Sequence, residues 1–172
     1  MQEVRLTPTS YIVLGILEWC GRSTPYELKG LVAISVGNFW TLQHAQLYSE
    51  PERLASAGYV TEEREEGGRR RKTYEITATG REALAEWRRA PSAELAELRD
   101  HGLLKLFFGA DAATLAPAQI EAHREKLAEY EATQEADPGT PPRGPWLALE
   151  AGVRAERGWI VYWEWVLEEA RA

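Results

Sequence analysis

The sequence holds one cysteine, one methionine, three phenylalanines and three histidines among 172 residues. A single thiol cannot staple a fold internally, which suits a reducing compartment and places the protein in the cytoplasm. Cys20 falls on the apolar face of a helical pattern and is expected in a core. Neither His101 nor His123 stands at ligand spacing from another His or Cys, so no metal site is expected. Long hydrophobic runs are also lacking: the longest, Tyr11 to Leu17, ends at Glu18, far short of the roughly 20 residues that span a bilayer. Before Tyr11 the only cation is Arg5, offset by Glu3, and no secretory leader is expected. There is no glycine-rich phosphate loop and no nucleophile–base motif, which sets catalysis, and any cofactor, aside.

What is present is an ordinary globular composition, 44% hydrophobic and 27% charged, with a net charge of -7 that is unevenly placed. Residues 1–90 balance 12 Lys and Arg against 12 Asp and Glu, whereas residues 91–172 carry 8 against 15. Between them Pro91 ends one helical pattern and Ser92 can cap the next, so a boundary is drawn there. Within the balanced half, Arg69, Arg70, Arg71 and Lys72 form four consecutive cations behind Gly67-Gly68.

Local signals order that half as helix, helix, helix, hairpin, helix. Thr7-Pro8 and Thr24-Pro25 are cap-then-proline starts; Val13, Ile16, Leu17 and Cys20 form one apolar stripe, and Leu28, Leu31 and Val32 the next. A third helix is predicted from about Leu42 to Ala57, before Gly58. Tyr59-Val60-Thr61 and Thr73, Tyr74 and Ile76 read as two strands about a Gly67-Gly68 turn, with the arginines at the tip. Thr79 and Glu82 form a capping box for a fourth helix. Three helices and a basic hairpin are the ingredients of a winged helix-turn-helix, whose third helix enters the DNA major groove while the hairpin touches the backbone. On that reading Gln43, His44, Gln46, Tyr48, Ser49 and Arg53 are the candidate groove contacts. Arg69, Arg70, Arg71 and Lys72 are the candidate phosphate contacts.

The residues themselves carry a resemblance. Ser10 to Leu17 (SYIVLGIL), Pro25-Tyr26-Glu27-Leu28, Phe39-Trp40, Gln46-Leu47-Tyr48, Arg53-Leu54, Gly58-Tyr59-Val60 and Arg71 to Thr77 (RKTYEIT), with Gly80, occur in an order similar to the PadR family of transcriptional regulators. Leu103 to Gly109 (LLKLFFG) and Gly144-Pro145-Trp146-Leu147 resemble the helical C-terminal domain of its longer members. One departure is Pro51, where the family commonly has leucine. An interior proline removes a helical hydrogen bond at a cost of about 3 kcal/mol, so the third helix is expected to bend or start late.

The acidic half reads as three helices, one capped by Ser92, one opened by Pro117, and a last one after the loop 137–145. On the last, Trp146, Leu149, Val153, Ile160, Trp163 and Leu167 follow steps of three and four, with Glu156 as a polar exception; Ala155, Trp159, Tyr162 and Val166 lie beside them. One stripe suffices for the chain's own packing, so the other is assigned to a second copy; Gly152 and Gly158 suggest close helix approach. The resemblance implies the same homodimer.

The expected fold is therefore mainly α with a small β-hairpin: a winged helix-turn-helix at 1–90 followed by an all-α dimerisation domain at 91–172. The expected function is sequence-specific regulation of transcription by a non-enzymatic repressor. Its homodimer binds a palindromic operator in double-stranded DNA, without a membrane partner. The pattern leaves room for a small aromatic effector around Trp146, Trp159 and Trp163. The alternative is a winged-helix protein-interaction module that does not bind DNA.

Overall fold

Threonine followed by proline opens the first two helices. In the computed structural model, which describes residues 4–64, 71–137, 139 and 141–171, Thr7 caps α1 (Pro8–Cys20) and Thr24 caps α2 (Pro25–Ala33). In each, the threonine hydroxyl oxygen accepts the amide of the third helical residue, whose side chain, Ser10 or Glu27, accepts the threonine amide in return. This reciprocal cap satisfies donors that a helix start otherwise leaves open. The Thr24 amide, and then its hydroxyl, hold the Glu27 carboxyl below the usual range. Cys20 departs from expectation: as the last residue of α1, just before the chain turns away at Gly21, it is exposed.

The third helix is shorter than its sequence pattern. A 3-10 turn at Val36–Asn38 is followed by turns in which Gln46 and Leu47 donate to the carbonyls of Gln43 and His44. Only then does α3 (Gln46–Ser56) begin, with no side-chain cap at Ala45; the backbone carbonyls of Gln43, His44 and Ala45 take the first amides instead. Pro51 sits inside α3, fully buried. Lacking an N–H, it cannot serve the Leu47 carbonyl one turn back, yet the helix continues to Ser56.

Strands β1 (Val60–Arg64) and β2 (Lys72–Ile76) pair antiparallel, with Val60 opposite Ile76, Glu62 opposite Tyr74 and Arg64 opposite Lys72. Period-two alternation puts these six residues on one face. Val60, Tyr74 and Ile76 are buried at its base, and the ionic members lie farther out. The next helix, α4 (Ala78–Arg89), is capped by Thr77 instead of Thr79: the Thr77 Oγ1 accepts the Gly80 amide at 3.1 Å. A side chain at Gly80 would stand 2.2 Å from the Tyr59 carbonyl oxygen, so only glycine fits this junction. Leu14 and Leu17 of α1, Leu28 of α2, Leu47 and Leu54 of α3, Leu84 of α4 and the hairpin base share one core. Burial of each aliphatic side chain contributes roughly 1.5–3 kcal/mol.

The chain divides between Glu94 and Leu95 into two units. The second contains α5 (His101–Phe107), α6 (Ala112–Ala136) and α7 (Arg143–Glu169). Ser92 caps nothing, since residues 91–100 form no regular element, and Asp100 caps α5 by accepting the Leu103 amide at 2.8 Å. Pro117 lies inside α6, which starts earlier because Asp111 accepts from the Ala113 amide and the Thr114 hydroxyl. Ion pairs Arg124–Glu164 and Arg157–Glu131 rise along one helix as they fall along the other, so α6 and α7 run antiparallel. Ala116, Ile120, Trp163 and Val166 form their core. Gly152 permits close approach, since a Cβ there would meet the Tyr130 ring at 2.9 Å; a Cβ at Gly158 would meet nothing within 4 Å. Among the described residues, no helix is long and apolar enough to cross a membrane.

Candidate nucleic-acid interface

The two faces of α3 differ sharply in chemistry. Leu47, Glu50, Pro51 and Leu54 face inward. Gln46, Tyr48, Ser49 and Glu52 are exposed, as are Gln43 and His44 in the turn before the helix. Polar or amphipathic side chains thus stand in solvent on and just ahead of one helix. Ser49 also donates its hydroxyl to the Ala45 carbonyl at 3.3 Å, which steadies the first turn.

Arg53 does not join them. Its Nε donates to Glu50 Oε2 at 2.9 Å, its Nη2 to Glu50 Oε1 at 2.6 Å and to Ser10 Oγ at 2.9 Å, and its Nη1 to the Arg5 carbonyl at 3.2 Å. Ser10, fully buried, donates to Glu50 Oε1 at 2.6 Å. A guanidinium has five N–H donors in a fixed fork, and here most are engaged. Arg53, expected in the groove, instead ties α3 to α1; its hydrogen bond to Glu50 raises its pKa. The sequence signal for this was Glu50 three residues before Arg53, an i,i+3 pair on a helix. Ser10, 40 residues away from Glu50, left no such trace.

The hairpin is gripped from both faces. On one, Arg22 in the turn between α1 and α2 bonds to Glu75 at 2.9 Å and to Glu63, while along the outer edge of β2 the Ser23 and Tyr74 backbones exchange hydrogen bonds at 3.0 and 2.9 Å. On the other, the Lys72 ammonium bonds to Glu52 of α3 and lies 3.4 Å from Glu62 of β1. Glu62 also accepts from Arg64 Nε at 2.9 Å and the Tyr74 hydroxyl at 3.0 Å. The Arg64 bond, ahead of the others, holds the Glu62 carboxyl below its usual range. Burial, and then Glu62, push the Tyr74 hydroxyl well up. Lys72 is raised chiefly by Glu52. Of the four consecutive cations, Arg69 and Arg70 lie outside the described residues. Arg71 is exposed, and its charge reaches Glu27 at the start of α2.

In the second unit α7 places the expected interface residues unequally. Val153, Trp163 and Val166 are buried inside one copy, the last two in a cluster with Ala116 and Ile120 of α6. They belong to the chain's own core, because α6 already covers that side of α7. Trp146, Leu149, Trp159, Ile160, Tyr162 and Leu167 are half-buried. The large apolar side chains that α7 leaves exposed are Leu147, Val161 and Trp165, none of them in the expected stripes. Nor do the tryptophans converge. Trp159 and Trp163 flank Tyr162, with ring centroids 5.8 and 5.2 Å from it. Trp146 lies 13 residues from Trp159, about 20 Å along the helix. There its ring meets Gly139 and the Arg143 guanidinium. Glu156, the polar exception, hydrogen-bonds His123 Nδ1 at 2.6 Å. Among the described residues, no group of three or more His, Cys, Asp or Glu could hold a metal ion.

Comparison with known proteins places both units. Residues 13–86 match the transcriptional regulator PadR-like family, and residues 98–171 match the virulence activator alpha C-terminal family. The chain is 26% identical over 174 residues to the negative transcriptional regulator PadR of Bacillus subtilis strain 168, covering 91% of this chain and 94% of that one. Two solved structures of Bacillus subtilis PadR share the fold. The complex with operator DNA superposes with a TM-score of 0.82 at 23% identity, covering 94% of this chain and 98% of that one. The complex with p-coumaric acid gives 0.78 at 22% identity, covering 95% and 98%. With its winged unit and its helical unit matched in sequence and in this order, the chain is similar over nearly its whole length to the PadR-like transcriptional regulators.

Proposed function

We propose that the protein is a sequence-specific DNA-binding repressor that acts in the cytoplasm as a homodimer on a palindromic operator. The carrying observation is the division of α3: Leu47, Glu50, Pro51 and Leu54 hold it to the core while Gln46, Tyr48 and Ser49 stand in solvent. A helix fixed on one side and polar on the other suits entry into a major groove, where side-chain amides and hydroxyls can read base edges. Gln43 and His44 are assigned to contacts beside it, and Arg69, Arg70 and Arg71 to the phosphate backbone, where contacts position without specifying sequence. A solved relative in complex with operator DNA supports this reading.

The homodimer is assigned to the second unit. Val161 and Trp165, 66% and 54% exposed and one turn apart on α7, offer an apolar surface that a second copy would cover. Two-fold symmetry then matches two winged units to two half-sites. A small aromatic acid is the proposed effector class, supported by a relative bound to p-coumaric acid. Titrated into the protein–DNA complex, p-coumaric acid should alter tryptophan emission and release DNA with the same concentration dependence, since the two equilibria are linked.

Footprinting on the DNA upstream of the protein's own gene tests the core of the reading. A protected inverted repeat is expected. Absence of protection together with no binding to random DNA would favour the interaction-module alternative.

A further inference from the structure

Lys72 occupies an unusual position for a residue in a run of cations. It is the first residue of β2, opposite Arg64, on the hairpin face that also carries Glu62 and Tyr74. Its ammonium has three donors, and carboxylates stand on two sides of it: Glu52 from the exposed face of α3 and Glu62, 3.4 Å away, from β1. Glu62 is in turn held by the Tyr74 hydroxyl, whose ring is buried in the core of the unit. A continuous line of bonds therefore runs from the core through Tyr74, Glu62 and Lys72 to Glu52 on the helix assigned to the groove. Arg71, one residue earlier, is exposed.

We propose that Lys72 is a positioning residue that sets the angle of the hairpin against α3, and not a phosphate ligand. The proposal rests on the DNA-binding reading above. Its consequence is for selectivity. On the operator, α3 must lie in the groove while the hairpin meets the flanking backbone, so a fixed angle spares the ordering cost on binding. Random DNA is held through phosphates that tolerate many hairpin angles.

The test uses the full-length chain and a duplex that it selects from a random pool, with a scrambled duplex as reference. Lys72→Gln, Glu52→Gln and the double variant are titrated on both at several salt concentrations, and their thermal midpoints are measured. The expected result is a fall of about three- to five-fold in the selected-to-scrambled affinity ratio for each single variant, the scale of a partly exposed ion pair. The double variant should be no worse than either single one, since both remove the same ion pair. The slope of log K against log salt should not change. Equal weakening on both duplexes for Lys72→Gln, a slope reduced by about 0.9, and tighter binding by Glu52→Gln would overturn the proposal, because a phosphate ligand behaves so. An unchanged ratio and slope with a lowered thermal midpoint would overturn it too, leaving the pair a role in stability alone. If the full chain selects no duplex, the DNA-binding reading itself falls and the proposal with it.

Discussion

Ser10 and Glu50, 40 residues apart, meet at 2.6 Å in the core between α1 and α3, and Arg53 closes on both. Arg53 keeps both carboxylate oxygens partnered without Ser10, but each hydrogen bond to a charged group contributes about 1.5–3 kcal/mol. Ser10→Ala should therefore lower stability by about that amount, seen as an earlier midpoint in urea unfolding of the full chain. An unchanged midpoint would mean that Glu50 finds water instead.

The two glycines of α7 should separate. Gly152→Ala forces a Cβ to within 2.9 Å of the Tyr130 ring and should lower the thermal midpoint. Gly158→Ala meets open space in one copy and should add up to about 1 kcal/mol through helix propensity. If both variants melt alike, the Tyr130 ring does not pack against Gly152.

The order of elements and the capped starts of α1 and α2 were legible in the sequence, because Thr-Pro caps and apolar stripes are local signals. What was missed depended on residues distant in sequence. Arg53 reads as a solvent-facing cation until Ser10 is folded beside it. Lys72 reads as one of four equivalent cations until Glu52 of α3 and Glu62 of β1 flank it. On α7 the stripes were visible, but which one α6 would cover was not: heptad spacing identifies an apolar face without naming its partner. Ser92 and Asp100 are both good caps by residue type, and composition alone does not choose between them.

The exposed pair Val161 and Trp165 tests the assembly. Full-length protein should sediment as a dimer at micromolar concentration. Val161→Glu or Trp165→Glu should shift it toward monomer, since a charge buried in an apolar interface is strongly disfavoured. A variant that stays dimeric would place the interface elsewhere.

Acid should loosen the hairpin. The folded pKa of Glu62 is depressed, chiefly by Arg64, so its contribution is present above the ordinary carboxylate pKa and is lost as pH falls through the folded value. Glu62→Gln should therefore lower the thermal midpoint at pH 7, and the difference from the unaltered protein should shrink below about pH 4. A pH-independent difference would assign the effect to shape and not to charge.

Arg69, Arg70 and Arg71 are assigned to phosphates. Replacing all three with alanine should weaken selected and scrambled duplexes by similar factors, and the salt slope should fall by about 0.9 for each phosphate no longer neutralised. Weakening confined to the selected duplex would mean that they read bases.

A dimer that reads an inverted repeat is tested by selecting duplexes from a random pool and then sedimenting the complex. Two inverted half-sites should be enriched, centred about one helical turn or a multiple of it apart, with two chains bound per duplex. A lone half-site carrying one chain, or no enrichment at all, would rule such a dimer out.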